Sequence, residues 1–512
     1  MAGALLMLTG CNDFLEPKSI SEFVPKDVSS LNELLLGEAY PRYDIGGFNY
    51  FLSLMDDDLT AMPWQTKDDN FEPNMLLASY TWQPDMFEMM KQVGVTGTDM
   101  YYTYYRKIKG TDAVIDYIET VSGSADEINN VLGQAYALRG FYYFNLVNIF
   151  GQPYNYNPEA LGVPLKLKSG AEDREITRNT VAECYEQILS DLHEAERLYE
   201  SLPEEMQWKN NYRTNLPMVQ LLLSRTYLYM EKWEEASRYA KMVMANSRFS
   251  LMNLNNVLAW DNSDGKPERT YTDYHSYESP ECIWMYGNVI DWAGWVDDYS
   301  EVGSDGSART PYFRASDELL ESFDSTDLRF ERYIVRKAFG VFQTDTLALA
   351  YGKVNVNDYF RPRGGTLVFG RSFRLSEAYL NYMEAEAMLY KTTGEGSHHV
   401  AAVDALNNLR RNRFAAEDFE VVNIADADAL VEFIHNERRR ELCFESHRWY
   451  DLRRWGMPEI KHVWYDSQTT TTTYTLQKND LLYTVPIPDV AIEDNSYLVQ
   501  NELCDKRIGV TK

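Results

Sequence analysis

Between Val219 and Met244, apolar residues recur every three or four positions, and this spacing constrains the fold more than any other feature of the chain. A period near 3.6 residues predicts helix rather than strand. The segment also carries the residues that the second half of a tetratricopeptide repeat requires, at their proper spacing: Leu223, Ser224, Tyr227, Ala236 and Val243. The small residues let two antiparallel helices approach closely and the large ones fill the remaining space, so the segment predicts a helical hairpin.

Weaker copies of this pattern occur on both sides of that hairpin. The further predicted helices span residues 130–151, 180–199, 374–395 and 400–414. Between residues 247 and 359 the helical period is lost, and Gly, Pro, Ser, Asp and aromatic residues become frequent. We therefore expect a mainly α protein, with tetratricopeptide-like helical hairpins, long irregular loop insertions and a few short strands. Its expected regions are 12–246 and 247–512.

The segment Phe433–Gly456 is densely charged, with six arginines and four carboxylates in 24 residues, and is expected to form one more helix. Glu437, Glu441 and Glu445 are spaced four apart and would share one face of that helix, where like charges repel unless cations pair with them. Each of these glutamates has an arginine within one turn. A neighbouring cation lowers the pKa of a carboxyl group, whereas a general acid needs a raised pKa.

We therefore interpret the segment as scaffold, not as a catalytic centre, and no residue of the chain is predicted to be catalytic. The residues predicted to form a structural ion-pair lattice between helices are Glu386, Glu437, Glu441, Glu445, Arg438, Arg440 and Arg448.

Composition excludes several other classes of function. The net charge of −29 repels phosphate backbones, so nucleic acid is not an expected partner. The five cysteines form no C-x-x-C pair and show no metal-type spacing with histidine, and neither a metal site nor a cofactor is expected. The motifs of zinc proteases, P-loop NTPases and serine hydrolases are absent from the sequence.

The N-terminus contains a short apolar run followed by Leu8-Thr9-Gly10-Cys11. Small residues directly before a cysteine, after an apolar segment, resemble a bacterial lipoprotein signal with its lipobox. The resemblance implies that residues 1–11 hold the signal and that Cys11 becomes the lipidated residue. Multiple acyl chains on one cysteine anchor a protein stably to a membrane.

Two aromatic segments are candidate ligand sites. Sugar rings stack on flat aromatic side chains while polar groups bind the hydroxyls. The residues predicted to contact ligand are Trp292, Trp295, Tyr299, Asp297 and Asp298 in one segment and Trp64 and Trp82 in the other. The alternative is that the tryptophans pack over the core, and for Trp82 packing is the favoured interpretation. Trp284 and Tyr286 alternate with apolar neighbours and are predicted to lie on a strand.

The segment "ERRRELCFESHRWYDLRRWG" resembles the signature of the SusD/RagB family of nutrient-binding outer-membrane lipoproteins of Bacteroidetes. Five other segments agree with the family in the same order: "CNDFLEP", "ALRGFYYFNLVNIFGQP", "RLSEAYLNYMEAEA", "LNNLRRNRF" and "VPIPDVAIEDNSYLVQN". Together they cover the chain from Cys11 to Asn501. Cys443 stands where the family usually has alanine.

The resemblance implies a SusD-like α/α superhelix with loop-built ligand sites, displayed on the cell surface. It also implies an oligosaccharide or peptide ligand and a SusC-like TonB-dependent transporter as partner. A glycoside hydrolase on a helical scaffold is the alternative of another class, and its paired carboxylates would come from Asp291, Asp297 or Asp298.

Overall fold

The structure is a computed structural model. It describes residues 25–41, 51–62, 74–93, 100–170, 175–257, 278–287, 313–338, 346–349, 371–467 and 469–512. The predicted signal in residues 1–11 and seven predicted site residues lie outside this part: Cys11, Trp64, Trp292, Trp295, Asp297, Asp298 and Tyr299.

The described residues are mainly helical, which confirms the predicted fold class. In chain order the α-helices are α1 Val28–Leu34, α2 Leu52–Met55, α3 Asn74–Tyr80, α4 Met86–Gln92, α5 Met100–Tyr117, α6 Ala125–Phe150, α7 Val181–Glu200, α8 Glu204–Gln207, α9 Leu216–Tyr229, α10 Trp233–Met244, α11 Asp317–Glu321, α12 Arg329–Arg332, α13 Leu375–Thr393, α14 Gly396–Arg411, α15 Ala427–Leu442, α16 Arg448–Arg454 and α17 Asp489–Asp494. Within the described residues, none of these helices is both long enough and apolar enough to cross a membrane.

Local sequence accounts for where the long helices begin and end. Capping boxes start α6 at Ser124 and Glu127, and α7 at Thr180 and Glu183. In each, the hydroxyl and the carboxylate bind the first free N–H groups of the helix. Gly394, at φ +74, ends α13 in a left-handed conformation that favours glycine.

The long helices pack in an array that follows the chain: α5 on α6, α6 on α7, α7 on α9, α9 on α10, α10 on α13, and α13 on α14 and α15. Close approach depends on small residues. A Cβ at Gly140 would lie 3.0 Å from a Leu192 methyl group on α7. The Ser224 hydroxyl of α9 donates a hydrogen bond to the Ala236 carbonyl of α10 at 2.9 Å. The predicted hairpin at 219–244 is confirmed.

The strands are short: β1 Leu59–Ala61, β2 Cys282–Tyr286, β3 Phe313–Ala315, β4 Val335–Ala338, β5 Thr346–Leu349, β6 Arg371–Arg374, β7 Ile460–Tyr465, β8 Thr471–Leu476 and β9 Val510–Thr511. They form antiparallel pairs β1–β3, β2–β6 and β4–β5 and one three-stranded sheet β7–β8–β9. The strand predicted for Trp284 and Tyr286 is confirmed as β2.

The expectation of one continuous helix through Phe433–Gly456 is wrong. Helix α15 ends at Leu442, and α16 begins at Arg448. Phe444 and Ser446 between them have positive φ values of 63° and 61°. Left-handed backbone is unfavourable for both residue types and persists only where surrounding contacts enforce it. One such contact is the buried ion pair of Glu445 with Arg374.

Candidate functional site

The Glu441 carboxylate lies at the centre of a buried network. Its oxygens are 3.2 Å from Arg329 Nη1, 3.1 Å from Arg374 Nη1 and 2.9 Å from Arg413 Nε. The Tyr333 hydroxyl donates a further hydrogen bond to Glu441 at 3.1 Å. All five side chains are buried. Because the arginines come from three different parts of the chain, this carboxylate joins elements that are distant in sequence.

Glu437 and Glu445 extend the same network. Glu437 contacts Arg329 Nη2 at 2.8 Å with one oxygen and Arg440 Nη2 at 2.8 Å with the other. Glu445 contacts Arg374 Nη2 at 2.6 Å. Burial by itself raises the pKa of Glu437, but the positive charge of Arg329, followed by Arg440, outweighs it and lowers the pKa to about 2. A carboxylate held ionised in this way cannot serve as a general acid near neutral pH.

Two other residues of the predicted lattice have partners that the local spacing did not indicate. Arg438 pairs with Asp451 at 2.8 Å rather than with Glu441. Arg448 binds both oxygens of Asp57, at 2.6 and 2.8 Å, instead of Glu445. Arg438 of α15 thus pairs with a residue of α16 across the break at residues 443–447, and Arg448 lies beyond that break.

Glu386 lies outside the arginine network, so its predicted membership is wrong. It contacts His398 Nδ1 at 2.7 Å and accepts a hydrogen bond from the Ser237 hydroxyl. Its position on α13 turns it toward α10 and α14, whereas the network lies toward α15.

Several members of the network were not predicted from the sequence, among them Glu281, Arg329, Arg374 and Arg413. Glu281 contacts Arg413 at 2.7 Å and Arg374 at 3.3 Å. A signal existed for Arg374 and Arg413, since both lie in segments that carry the family resemblance. Arg329 and Glu281 lie in sequence without helical period, where no pattern marked them.

A second charged cluster holds the segment that contains β1. Asp57 is bound by Arg448, and Asp58 accepts a hydrogen bond from Arg439 Nε at 2.8 Å. Arg439 belongs to α15 and Arg448 belongs to α16. Residues 56–58 are thereby fixed to helices almost four hundred positions further along the chain.

Trp82 lies inside the protein, with no exposed surface. Its Nε1 donates a hydrogen bond to the Met55 carbonyl at 2.9 Å, and its ring stacks on His462 at 4.1 Å. His462 stacks on Tyr80 at 4.2 Å, so the imidazole is placed between two aromatic rings. Both faces and the polar edge of Trp82 are used in packing, and the ring presents no surface to a ligand.

The pairing of β1 with β3 places the described residues that adjoin two candidate ligand segments side by side. Ala61 at the end of β1 is paired with Phe313 at the start of β3. Residues 63–73, which include Trp64, follow β1, and residues 288–312, which include the other predicted aromatic residues, precede β3. Two segments that are more than two hundred residues apart in sequence therefore have neighbouring attachment points.

The strand β2 forms the other attachment point of residues 288–312. Its Trp284 is buried and stacks on Tyr286 with ring centroids 4.9 Å apart, and it pairs in register with Phe373 of β6. Phe141 of α6 packs edge-on against both rings of β2. Residues 288–312 therefore follow a strand whose aromatic rings are packed against α6 and β6.

Tyrosines at the start of α5 form a further aromatic group. Tyr101 and Tyr104 are buried, whereas Tyr102 is largely exposed. Tyr101 and Tyr102 line a shallow surface cavity together with Ile176 and Leu498. This cavity is lined mainly by apolar side chains.

Two family models match the chain. A model described as "Starch-binding associating with outer membrane" matches residues 49–228, and the SusD family model matches residues 370–503. Among curated proteins, the chain is 26% identical over 383 residues to SusD-like protein P2 of Formosa agariphila, covering 68% of this chain and 70% of that protein. It is 25% identical over 363 residues to SusD-like protein P38 of the same organism, covering 63% and 66%.

Solved structures share the fold. A SusD superfamily protein from Bacteroides thetaiotaomicron superposes with a TM-score of 0.68 at 22% identity, covering 93% of this chain and all of that one. A protein from Bacteroides vulgatus described as a putative sugar binding protein gives a TM-score of 0.67 at 23% identity, covering 94% and 99%. The two matching family models and the helical array shared with these structures agree: the chain belongs to the SusD/RagB family.

Proposed function

We propose that this protein binds an oligosaccharide at the cell surface and delivers it to a SusC-like TonB-dependent transporter. The observation that carries the proposal is the pairing of Ala61 with Phe313, which gives the segments bearing Trp64 and Trp292 adjacent attachment points. Trp64 follows Ala61 by only three residues in the sequence. Aromatic side chains from two segments would then face one ligand, with Asp297 and Asp298 binding hydroxyl groups.

Two further observations support recognition without catalysis. Although burial raises them, the pKa values of Glu437 and Glu441 are lowered by the charges of the arginines that contact these carboxylates. The family model that matches residues 49–228 is described by starch binding, and one structural relative is described as a putative sugar binding protein.

The central test is a binding measurement by calorimetry on the full chain with a panel of oligosaccharides. Trp292→Ala and Trp295→Ala should each weaken binding of the recognised glycan by about 1–3 kcal/mol, the range for stacking on aromatic platforms. Tyr212→Ala is the matched control, since Tyr212 is an exposed aromatic residue outside both segments. Unchanged affinity in both tryptophan variants would rule out this ligand segment.

The same panel separates the alternatives. Binding of peptide mixtures with no binding of glycans would identify a peptide-capturing protein. New reducing ends that appear with the wild type and disappear with Asp291→Asn, Asp297→Asn or Asp298→Asn would identify a glycoside hydrolase.

Attachment to the outer membrane through Cys11 is part of the proposal. In cells, Cys11→Ser should move the protein from the membrane fraction to the soluble fraction and abolish incorporation of labelled palmitate, because the acyl chains supply the anchoring energy. Co-purification of the wild type with a TonB-dependent transporter tests the partner. Membrane retention of the Cys11→Ser protein would contradict the anchor.

A further inference from the structure

A cavity of about 210 Å³ opens between the segment after α6 and the C-terminal segment of the chain. Its walls include Gln152 and Tyr156 on one side and Asn479, Thr484 and Glu502 on the other. It is smaller than the roughly 300–1,000 Å³ pockets that hold drug-sized ligands. The space suits one small ring.

The polar groups of this cavity match a ligand rich in hydroxyls. Gln152 Oε1 is buried and has no hydrogen-bond partner among the described residues. A buried acceptor without a partner is costly, and a turn of the Gln152 amide toward the cavity would let a ligand hydroxyl donate to it. The Asn479 amide and the Thr484 hydroxyl line the same space and can both donate to and accept from a sugar, and the Glu502 carboxylate can accept.

An aromatic ring stands at the mouth of the cavity. Tyr156 is 56% exposed and lines the opening beside apolar Leu161. An exposed ring next to a polar cavity provides the flat apolar face on which the C–H surface of a sugar stacks.

The backbone beneath the polar groups is strained. Met457 and Asn479 have φ values of 48° and 58°, and the Asn479 N–H donates a hydrogen bond to the Met457 carbonyl at 2.9 Å. Both residues line the cavity. Left-handed non-glycine residues concentrate at ligand sites, where the strain positions a side chain.

The charges of the cavity favour a neutral ligand over an anion. Arg178 donates its hydrogen bonds to main-chain carbonyls, among them Gly162 and Val499. Asp480 is paired with Arg507 at 2.9 Å. The Glu502 carboxylate in the wall repels anions.

We propose that this cavity is a second carbohydrate site, which binds one neutral sugar ring between Tyr156 and the polar groups of Gln152, Asn479 and Glu502. The inference rests on the proposed carbohydrate-binding function. The site is built from segments separate from those that carry Trp64 and Trp292, so the two sites can be disabled independently.

The test is saturation-transfer difference NMR on the full chain with methyl glycosides of common hexoses, pentoses and N-acetylhexosamines. Tyr156→Ala should raise the Kd of the bound glycoside about tenfold, the loss expected for one stacking contact of about 1.4 kcal/mol. Asn479→Gly should also weaken binding while the fold is retained, because glycine adopts positive φ without strain. Tyr212→Ala, a comparably exposed tyrosine at 52%, should leave the Kd unchanged.

The outcomes distinguish this inference from the proposed function. Loss of glycoside binding in Tyr156→Ala, with binding retained in the Trp292→Ala, Trp295→Ala double variant, supports a second site. Glycoside binding that is insensitive to Tyr156→Ala and Asn479→Gly overturns it, as does an absence of glycoside binding when oligosaccharides bind through Trp292. If neither class of sugar binds, both proposals fail.

Discussion

At the scale of single residues, the most consequential feature is Glu441, a buried carboxylate that contacts three arginines. Burying an ion pair gains little net free energy, but removing one partner leaves the others as uncompensated buried charges. Buried ion pairs of this kind therefore fix the relative arrangement of the elements they join more than they raise the free energy of unfolding.

Glu441→Gln should lower the stability of the fold by about 3–5 kcal/mol, because Arg329, Arg374 and Arg413 lose a shared counter-charge in the interior. The affinity for glycan should be nearly unchanged in the folded variant. Glu432→Gln on the exposed face of the same helix is the matched control and should not alter the melting temperature. Equal melting temperatures of the wild type and Glu441→Gln would contradict a structural role for the network.

At the scale of elements, the break between α15 and α16 shows how a tertiary contact overrides local helix preference. Residues 443–447 interrupt a sequence with good helix formers on both sides. Within the interruption, Glu445 pairs with Arg374 of β6 at 2.6 Å. The strained residues Phe444 and Ser446 are the structural cost of that contact.

Ser446→Gly is expected to stabilise the protein by about 1 kcal/mol. It removes left-handed strain of about 1–2 kcal/mol, against an entropic cost of about 0.4–1 kcal/mol for glycine in the unfolded chain. It also removes a buried hydroxyl without a hydrogen-bond partner among the described residues. Ser446→Ala, which removes the hydroxyl and keeps the strain, is the comparison in urea denaturation. A glycine variant no more stable than the alanine variant would show that the backbone here is unstrained.

At the scale of the whole molecule, a contact between residues distant in sequence fixes the described residues that precede one proposed ligand segment. Arg448 of α16 binds Asp57, which is 391 residues away in sequence. Asp57 lies two residues before β1, and β1 leads to the segment that contains Trp64. Helices near the C-terminus therefore hold the base of a segment near the N-terminus.

Arg448→Met should increase deuterium uptake of residues 51–62, because Asp57 loses the two hydrogen bonds that the Arg448 guanidinium donates to its carboxylate. The expected loss of stability is about 2–3 kcal/mol, below the full cost of an unpaired buried charge, since Arg439 still lies 3.5 Å from Asp57. Affinity for glycan should fall with it, in contrast to Glu441→Gln. Arg197→Met, which removes only an exposed pair with Glu194, is the control. Unchanged exchange in residues 51–62 would show that other contacts hold this segment.

The sequence by itself determined the helices and their hairpins. Apolar spacing and capping residues act within a few positions along the chain, so the patterns at 219–244 and 374–395 were sufficient to predict α9, α10 and α13. The acidic row at Glu437, Glu441 and Glu445 was likewise sufficient to predict that arginines would surround it.

Only the tertiary structure decided which arginines these are. It also decided which strands pair beside the aromatic segments. Arg329, Arg374 and Arg413 reach Glu441 from elements up to about a hundred residues away, and Ala61 pairs with Phe313 across a still longer separation. Local spacing carries no information about such partners, because a side chain pairs with whatever charge the packing of helices brings within a few ångströms. Helix formation depends on neighbours in sequence, whereas ion pairing and strand pairing depend on neighbours in space.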